Sequence, residues 1–131
     1  MDTNNKQNNI MNPETITIDK TEYVRKDSVN APSKDLDGKK YVLIRSRDSG
    51  CHAGYLEKED GNTITLVQSR RLWYWSGAAT LSQLAMEGVS NPSDCKFPCE
   101  VDKFTVYGVC EKSAVTLKAQ ESIKGVPVWS A

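Results

Sequence analysis

The chain has 131 residues, of which 38% are hydrophobic, and its formal net charge is zero. That length suits one domain with one core, and the balanced charge excludes a global basic field that would draw the protein onto nucleic acid or an anionic membrane. The apolar stretches are too short to span a bilayer, and the Asn-rich N-terminus lacks the apolar region and cleavage site of a secretory signal. We therefore expect a cytoplasmic protein.

Three segments are predicted before the domain. Residues 1–13 have no apolar periodicity and end in Asn12-Pro13, which is typical of a disordered tail. Residues 14–27 contain two short alternating runs around a turn and predict a β-hairpin arm. Residues 28–38 again lack periodicity and predict a linker. Because an isolated two-stranded hairpin is marginally stable in water, we expect the arm to dock on its own core or on a neighbouring subunit.

Residues 39–131 are predicted to form the compact domain. Apolar or alternating runs at 41–44, 51–57 and 63–67 predict three strands. The turn residues of 48–50 and the Glu-Asp-Gly-Asn sequence of 59–62 separate these runs. Asp-Gly and Gly-Asn tolerate the positive φ angles of tight turns, so the three strands should form an antiparallel meander.

The hydrophobic period changes after the meander. Residues 78–87 have apolar positions at helical spacing, with Thr80 or Ser82 as a cap and Gly88 as a stop. Residues 104–110 alternate as a further strand. Residues 113–123 predict a second helix, although Val115 and Thr116 also suit a strand. The predicted fold is therefore α+β: an antiparallel β-meander of four to five strands with one or two short helices, behind a flexible N-terminal arm.

The densest chemical feature of the chain is the run from residue 70 to residue 75. Guanidinium groups beside indole rings can clamp phosphate by paired hydrogen bonds and stack on a base or another planar group. In the alternative interpretation the aromatic residues fill the core and the arginines are solvated or paired. Strand alternation would then send Leu72 and Tyr74 to one side of the chain and Arg71 and the tryptophans to the other. The predicted ligand-binding residues are Arg70, Arg71, Trp73, Tyr74 and Trp75.

The cysteines and the single histidine give no catalytic prediction. Cys51 and His52 are adjacent, and neighbouring residues of a strand point to opposite faces, which disfavours proton transfer between them. Cys95 and Cys99 have a spacing seen in zinc knuckles, but a second pair of ligands is missing from the sequence nearby. Reduced thiols are the favoured interpretation, so no catalytic residue, metal or cofactor is predicted, and we expect a non-enzymatic protein.

From Tyr41 to its end the chain resembles a family of small, largely uncharacterised proteins of tailed bacteriophages and prophages. The stretches that carry the resemblance are Gly-Tyr-Leu at 54–56, RRLWYWSGAATLSQLAMEG at 70–88, Cys-Lys-Phe at 95–97 and Ile-Lys-Gly-Val-Pro-Val-Trp at 123–129. The resemblance implies a phage protein made in the cytoplasm of a host bacterium. It implies no catalytic residues.

Two hypotheses of function follow from these features. In the first, the protein is a binding module that captures a host ligand or partner, such as a nucleotide-type defence signal, through the 70–75 cluster. In the alternative, it is a virion structural or assembly protein whose N-terminal arm contacts other subunits. Small domains often build pockets between subunits, so we also expect a homo-oligomer, with no membrane partner.

Overall fold

The computed structural model describes residues 31–131, which contain five strands, two α-helices and one turn of 3-10 helix. The strands are β1 (Tyr41–Ser46), β2 (Gly50–Asp60), β3 (Thr63–Arg71), β4 (Val101–Val106) and β5 (Val109–Ala114), and the helices are α1 (Leu81–Glu87) and α2 (Leu117–Gly125). The 3-10 turn is Pro92–Asp94. The predicted α+β class is confirmed. The predicted tail, hairpin arm and first linker residues, on which the virion role depends, lie outside the described residues.

The five strands form one antiparallel sheet in the order β4-β3-β2-β1-β5. Only Tyr107 and Gly108 separate β4 from β5, although these strands lie at opposite ends of that order. A flat sheet would hold them about 19 Å apart, whereas three residues span at most about 11 Å. The sheet must therefore curl toward a barrel, and the Val109 amide accordingly donates to the Asn62 carbonyl at 2.8 Å.

Curling gives the sheet two separate cores. Inside the curl, five residues from β1, β3 and β4 are buried together: Val42, Ile44, Ile64, Leu66 and Val106. On the outer face, Tyr41 and Leu43 of β1 pack with residues of both helices, such as Leu84 and Ile123. Strand alternation explains this division, because successive β1 side chains point to opposite faces of the sheet. Both faces of β1 are consequently buried, as its continuous apolar run predicts.

The two helices are capped and held to each other by local polar groups. Thr80 caps α1 by accepting a hydrogen bond from the Gln83 amide, and Gly88 ends that helix with φ of 78°. Thr116 caps α2 and also donates to the Met86 carbonyl at 2.7 Å. Ser122 of α2 packs so closely on Gly88 that a β-carbon there would overlap it. Among residues 31–131, no helix is long and apolar enough to cross a membrane.

Two local predictions for the second half of the chain were wrong. The single strand predicted at 104–110 is two strands, because Gly108 has φ of 68° and reverses the chain between β4 and β5. The helix predicted from residue 113 begins at Leu117. The preceding residues extend β5 instead, since Ala114 pairs with Val42 of β1.

The described part of the predicted linker is bonded to the domain. The Ser33 amide donates to the Val115 carbonyl at 3.2 Å. The amide of Lys34 donates to the Gln120 side-chain oxygen at 2.7 Å, and the Gln120 side-chain nitrogen donates back to the Lys34 carbonyl at 2.9 Å. These bonds fix the entry of the chain into β1 against the start of α2.

Candidate functional site

The end of β3 and the segment that follows it supply four residues to one surface cleft: Arg71, Leu72, Trp73 and Trp75. Leu72 is 2% exposed and contributes to the core, while Tyr74 is 52% exposed. The structure thus brings three of the five predicted ligand-binding residues together. It directs Arg70 and Tyr74 elsewhere.

We call this surface the tryptophan cleft. One wall is the turn between β1 and β2 with the start of β2, and the other wall is the chain at the end of β3. Its volume is about 280 Å³. The lining residues are Asp48, Ser49, Gly50, Cys51, Arg71, Leu72, Trp73 and Trp75. Sequence reasoning missed the whole 48–51 wall, because those residues carried only turn signals and become neighbours of Arg71 through the pairing of β2 with β3.

Arg71 is held at the cleft by the turn wall. It is half-buried, its Nη1 donates to the Ser49 carbonyl at 2.6 Å, and its guanidinium carbon lies 5.6 Å from the centroid of the Phe104 ring. Within residues 31–131, no carboxylate forms an ion pair with it. The carbonyl bond and the ring orient the guanidinium fork while most of its five donors stay unused by the described residues.

His52 lies beside Arg71 on the inner side of the curled sheet. His52 is fully buried, pairs across the sheet with Arg71, and its ring centroid lies 5.0 Å from that of Phe104. Burial, with the charge of Arg71 as the second cause, lowers the pKa of His52 to about 4. The ring is therefore neutral at pH 7. Its Nε2 must carry the proton, because it lies 3.0 Å from the Ser49 carbonyl, which only accepts.

Cys51 and His52 do not form a nucleophile and base. Cys51 is half-buried and lines the cleft, and burial is the main cause that raises the pKa of its thiol. His52 points into the core and its Nδ1 has no hydrogen-bond partner among the described residues. A protonated thiol beside a histidine on the opposite face of the strand offers no activated nucleophile.

The structure corrects the prediction for Arg70, which is not a ligand-facing residue. Its side chain is 3% exposed. Its Nε donates to the Pro98 carbonyl at 2.9 Å, its Nη1 to the Ile123 carbonyl at 2.8 Å, and its Nη2 to the Phe97 carbonyl at 3.0 Å. The guanidinium carbon also lies 5.6 Å from the centroid of the Phe97 ring. Arg70 therefore ties α2 and the 97–98 segment to β3.

Tyr74 lies beside residues that the sequence did not connect with it. Its backbone pairs with Lys96, whose amide donates to the Tyr74 carbonyl at 2.7 Å. The Lys96 ammonium nitrogen lies 5.8 Å from the centroid of the Tyr74 ring and 5.6 Å from that of Trp129. Lys96 and Trp129 gave no signal of their own, because the aromatic neighbours of an exposed lysine are set only by the folded chain.

The cysteines of the predicted zinc alternative have different surroundings. Cys95 is buried and its sulfur accepts from the Ser76 amide at 3.4 Å, whereas Cys99 is exposed. In the part of the chain that the structure describes, no group of three His, Cys, Asp or Glu side chains is placed to hold a metal ion.

A second groove is larger than the tryptophan cleft, with a volume of about 420 Å³. It runs between α1 and β5 and is lined by Leu43, Leu81, Ser82 and residues 110–113. No aromatic or arginine side chain lines it. The tryptophan cleft is smaller but combines a guanidinium with two indoles, which are the groups that recognise a planar or anionic ligand.

Fold and site together define a small α+β domain whose curled five-stranded sheet carries a surface cleft lined by one guanidinium and two indoles. The match to a protein-family model agrees with that outline, because it covers residues 39–123 and so the whole sheet with most of α2. The chain belongs to this family, which is described as a domain of unknown function, DUF6948. Comparisons with curated proteins and with solved structures found no match.

Proposed function

We propose that this protein is a non-enzymatic binding module whose tryptophan cleft takes a planar, anionic ligand of the nucleotide type. The observation that carries the proposal is that Arg71, Trp73 and Trp75 line one cleft. A guanidinium pairs with two phosphate oxygens in a fixed geometry, and an indole stacks on a base for about 1–3 kcal/mol.

The exposure of Trp73 supports a ligand rather than a core role for that residue, whereas Trp75 is half-buried and also packs against the core. Trp73 is 64% exposed, so much of its ring is left for a ligand to cover. A buried aromatic residue of the core would already have made those contacts. Arg71 is oriented by Ser49 and Phe104, which lowers the entropy that its side chain loses when it grips a phosphate.

The size and charge of the cleft narrow the ligand class. A volume of about 280 Å³ lies just below the range of about 300–1,000 Å³ for small-molecule sites, so we expect a ligand no larger than a mononucleotide. Asp48 also lines the cleft. Its carboxylate accepts hydrogen bonds and repels phosphate, so we expect it to contact sugar hydroxyls or a base amine while Arg71 takes the phosphate.

The setting that we propose is a phage protein acting in the host cytoplasm. The resemblance to tailed-phage and prophage proteins supports it. A phage gains from removing a nucleotide signal of host defence, and sequestration needs only binding. The absence of a nucleophile and base at Cys51 and His52 is consistent with capture without turnover.

The test is calorimetric titration of the full chain with mono-, di- and cyclic nucleotides, with inorganic phosphate and uncharged nucleosides as controls. We expect nucleotides to bind more tightly than either control, because phosphate and base use different residues. Arg71→Lys keeps the charge but loses the paired geometry, and should weaken nucleotide binding about tenfold. Trp73→Ala should remove the stacking contribution and weaken binding of nucleotides and nucleosides alike.

Trp129→Ala is the matched control, because Trp129 is also exposed but does not line the cleft. It should leave nucleotide affinity unchanged. A bound nucleotide should also slow alkylation of Cys51 in the cleft and leave that of exposed Cys99 unaltered. The proposal is wrong if no nucleotide binds, or if Arg71→Lys and Trp73→Ala bind as the wild-type protein does.

A further inference from the structure

We infer that Tyr74, Lys96 and Trp129 form a second recognition surface, which takes an acidic segment of a partner protein. We call these three residues the lysine-aromatic patch. It is separate from the tryptophan cleft, and none of its members lines that cleft.

Backbone pairing holds the patch in one arrangement. Lys96 and Tyr74 exchange two backbone hydrogen bonds, at 2.7 and 3.4 Å, and the Trp129 amide donates to the Phe97 carbonyl at 2.9 Å. Three chain segments that are distant in sequence are thereby placed side by side, with the lysine segment in the middle. The residues are fixed by the fold and not by a single flexible loop.

The side chains leave a cation displayed between two rings. Lys96 is exposed, and its ammonium nitrogen lies 5.8 and 5.6 Å from the Tyr74 and Trp129 ring centroids. Tyr74 is 52% exposed and Trp129 is 46% exposed. The rings restrain the lysine without neutralising it, because a ring quadrupole attracts a cation but carries no net charge. Within residues 31–131, no carboxylate forms an ion pair with Lys96.

The charge of the patch selects the occupant. Its one charged group is a cation flanked by apolar area, which complements a carboxylate that is itself flanked by apolar residues. Tyrosine and tryptophan are also the residues that carry most energy at protein interfaces. A strand of nucleic acid needs several phosphate contacts, whereas the patch offers a single lysine. A second copy using the same patch about a two-fold axis would bring Lys96 against Lys96.

The experiment uses a fluorescent peptide in which glutamate alternates with leucine and proline, and a matched peptide with glutamine in place of glutamate. Fluorescence anisotropy of each peptide is measured against the full-length protein. We expect the acidic peptide to bind about fivefold more tightly, since its carboxylate pairs with the ammonium group of Lys96 on an exposed surface. Lys96→Glu should abolish this preference, and Trp129→Ala should weaken binding of both peptides.

Trp73→Ala is the control, because Trp73 lines the tryptophan cleft and should not alter peptide binding. The inference is overturned if both peptides bind equally or not at all, or if Lys96→Glu keeps the preference for glutamate. Tighter binding of an oligothymidine strand would assign the patch to nucleic acid instead. Dimerisation that Lys96→Glu or Trp129→Ala abolishes, measured by sedimentation, would assign it to a second copy. None of these results would bear on the proposed binding of nucleotides at the tryptophan cleft, which is tested separately.

Discussion

Replacing Arg70 should destabilise the domain far more than replacing its neighbour Arg71, although both changes remove the same charge from the same strand. Arg70 is 3% exposed and donates to three backbone carbonyls from two separate segments. Arg71 is half-buried and donates to one carbonyl, that of Ser49. The two alanine variants therefore test whether the loss of stability depends on the burial of the arginine and the number of its hydrogen bonds, and not on its charge.

The expected loss of stability can be estimated from the hydrogen bonds that each variant removes. Arg70→Ala removes three hydrogen bonds from a charged group, each worth about 1.5–3 kcal/mol. The Pro98 carbonyl loses its donor, whereas the Phe97 and Ile123 carbonyls still accept from the Trp129 and Val126 amides. Relief from holding a desolvated guanidinium offsets several kcal/mol, so the net loss in the free energy of unfolding should be about 3–5 kcal/mol. Arg71→Ala loses one partly exposed bond and should cost about 1 kcal/mol. Arg70→Lys keeps the charge, but a single ammonium cannot replace the planar fork, and about 2 kcal/mol should be lost.

The assay is urea unfolding followed by circular dichroism, with the free energy of unfolding obtained by linear extrapolation. Small domains have only about 5–15 kcal/mol of stability, so Arg70→Ala is expected to be partly unfolded at 37 °C, and Arg70→Lys provides the measurable midpoint. Equal losses for Arg70→Ala and Arg71→Ala, or a wild-type midpoint for Arg70→Lys, would refute the reasoning.

Three further outcomes are expected. As the pH falls from 6.5 to about 4, the free energy of unfolding should decrease by about 3 kcal/mol because of His52. Only the unfolded imidazole takes up a proton in that range. The stabilisation that comes from a neutral His52 is therefore complete above pH 6.5. His52→Gln should remove this slope, so parallel pH curves for the two proteins would contradict it. Gly88→Ala should lower the free energy of unfolding by more than about 2 kcal/mol, because the φ of residue 88 is 78° and a β-carbon there would overlap α2. Gly125 has open space around it, so Gly125→Ala should change the free energy of unfolding by less than about 1 kcal/mol. Thermal unfolding of both variants measures the difference. Iodoacetamide at pH 7.5 should modify exposed Cys99 well before half-buried Cys51, because burial raises the pKa of the Cys51 thiol. Peptide mass spectrometry measures the two rates, and equal rates would contradict this prediction.

Much of the fold could be predicted from local signals. The turn residues between the first three strands, the Thr80 cap and the Gly88 stop all have direct physical meaning in the backbone, and the structure contains each feature. The split between β4 and β5 could not be predicted in the same way. Gly108 lies inside an apolar run. The residues before and after it alternate in the same way whether the chain continues as one strand or reverses into a second strand, so the pattern does not reveal the turn.

The start of α2 shows how pairing overrides local preference. Residues 113–116 were predicted to be helical, although Val115 and Thr116 also suit a strand, so composition alone does not decide between the two. The pairing of Ala114 with Val42 decides for the strand, because the edge of β1 offers backbone hydrogen bonds that a longer helix would forgo. The helix then begins after Thr116, whose side chain accepts a hydrogen bond from the Ala119 amide.

At the tryptophan cleft, the sequence by itself determined the spacing of the side chains and their chemical type, which is a guanidinium group with indole rings. Successive residues of an extended chain point to opposite sides, so the sequence predicted that Arg71, Trp73 and Trp75 share a surface, and all three line one cleft although β3 ends at Arg71. Only the tertiary structure decided which of two adjacent arginines would be enclosed and which rings would flank Lys96. Those outcomes depend on segments distant in sequence, the 97–98 carbonyls, the end of α2 and Trp129, whose positions arise from the packing of the whole sheet.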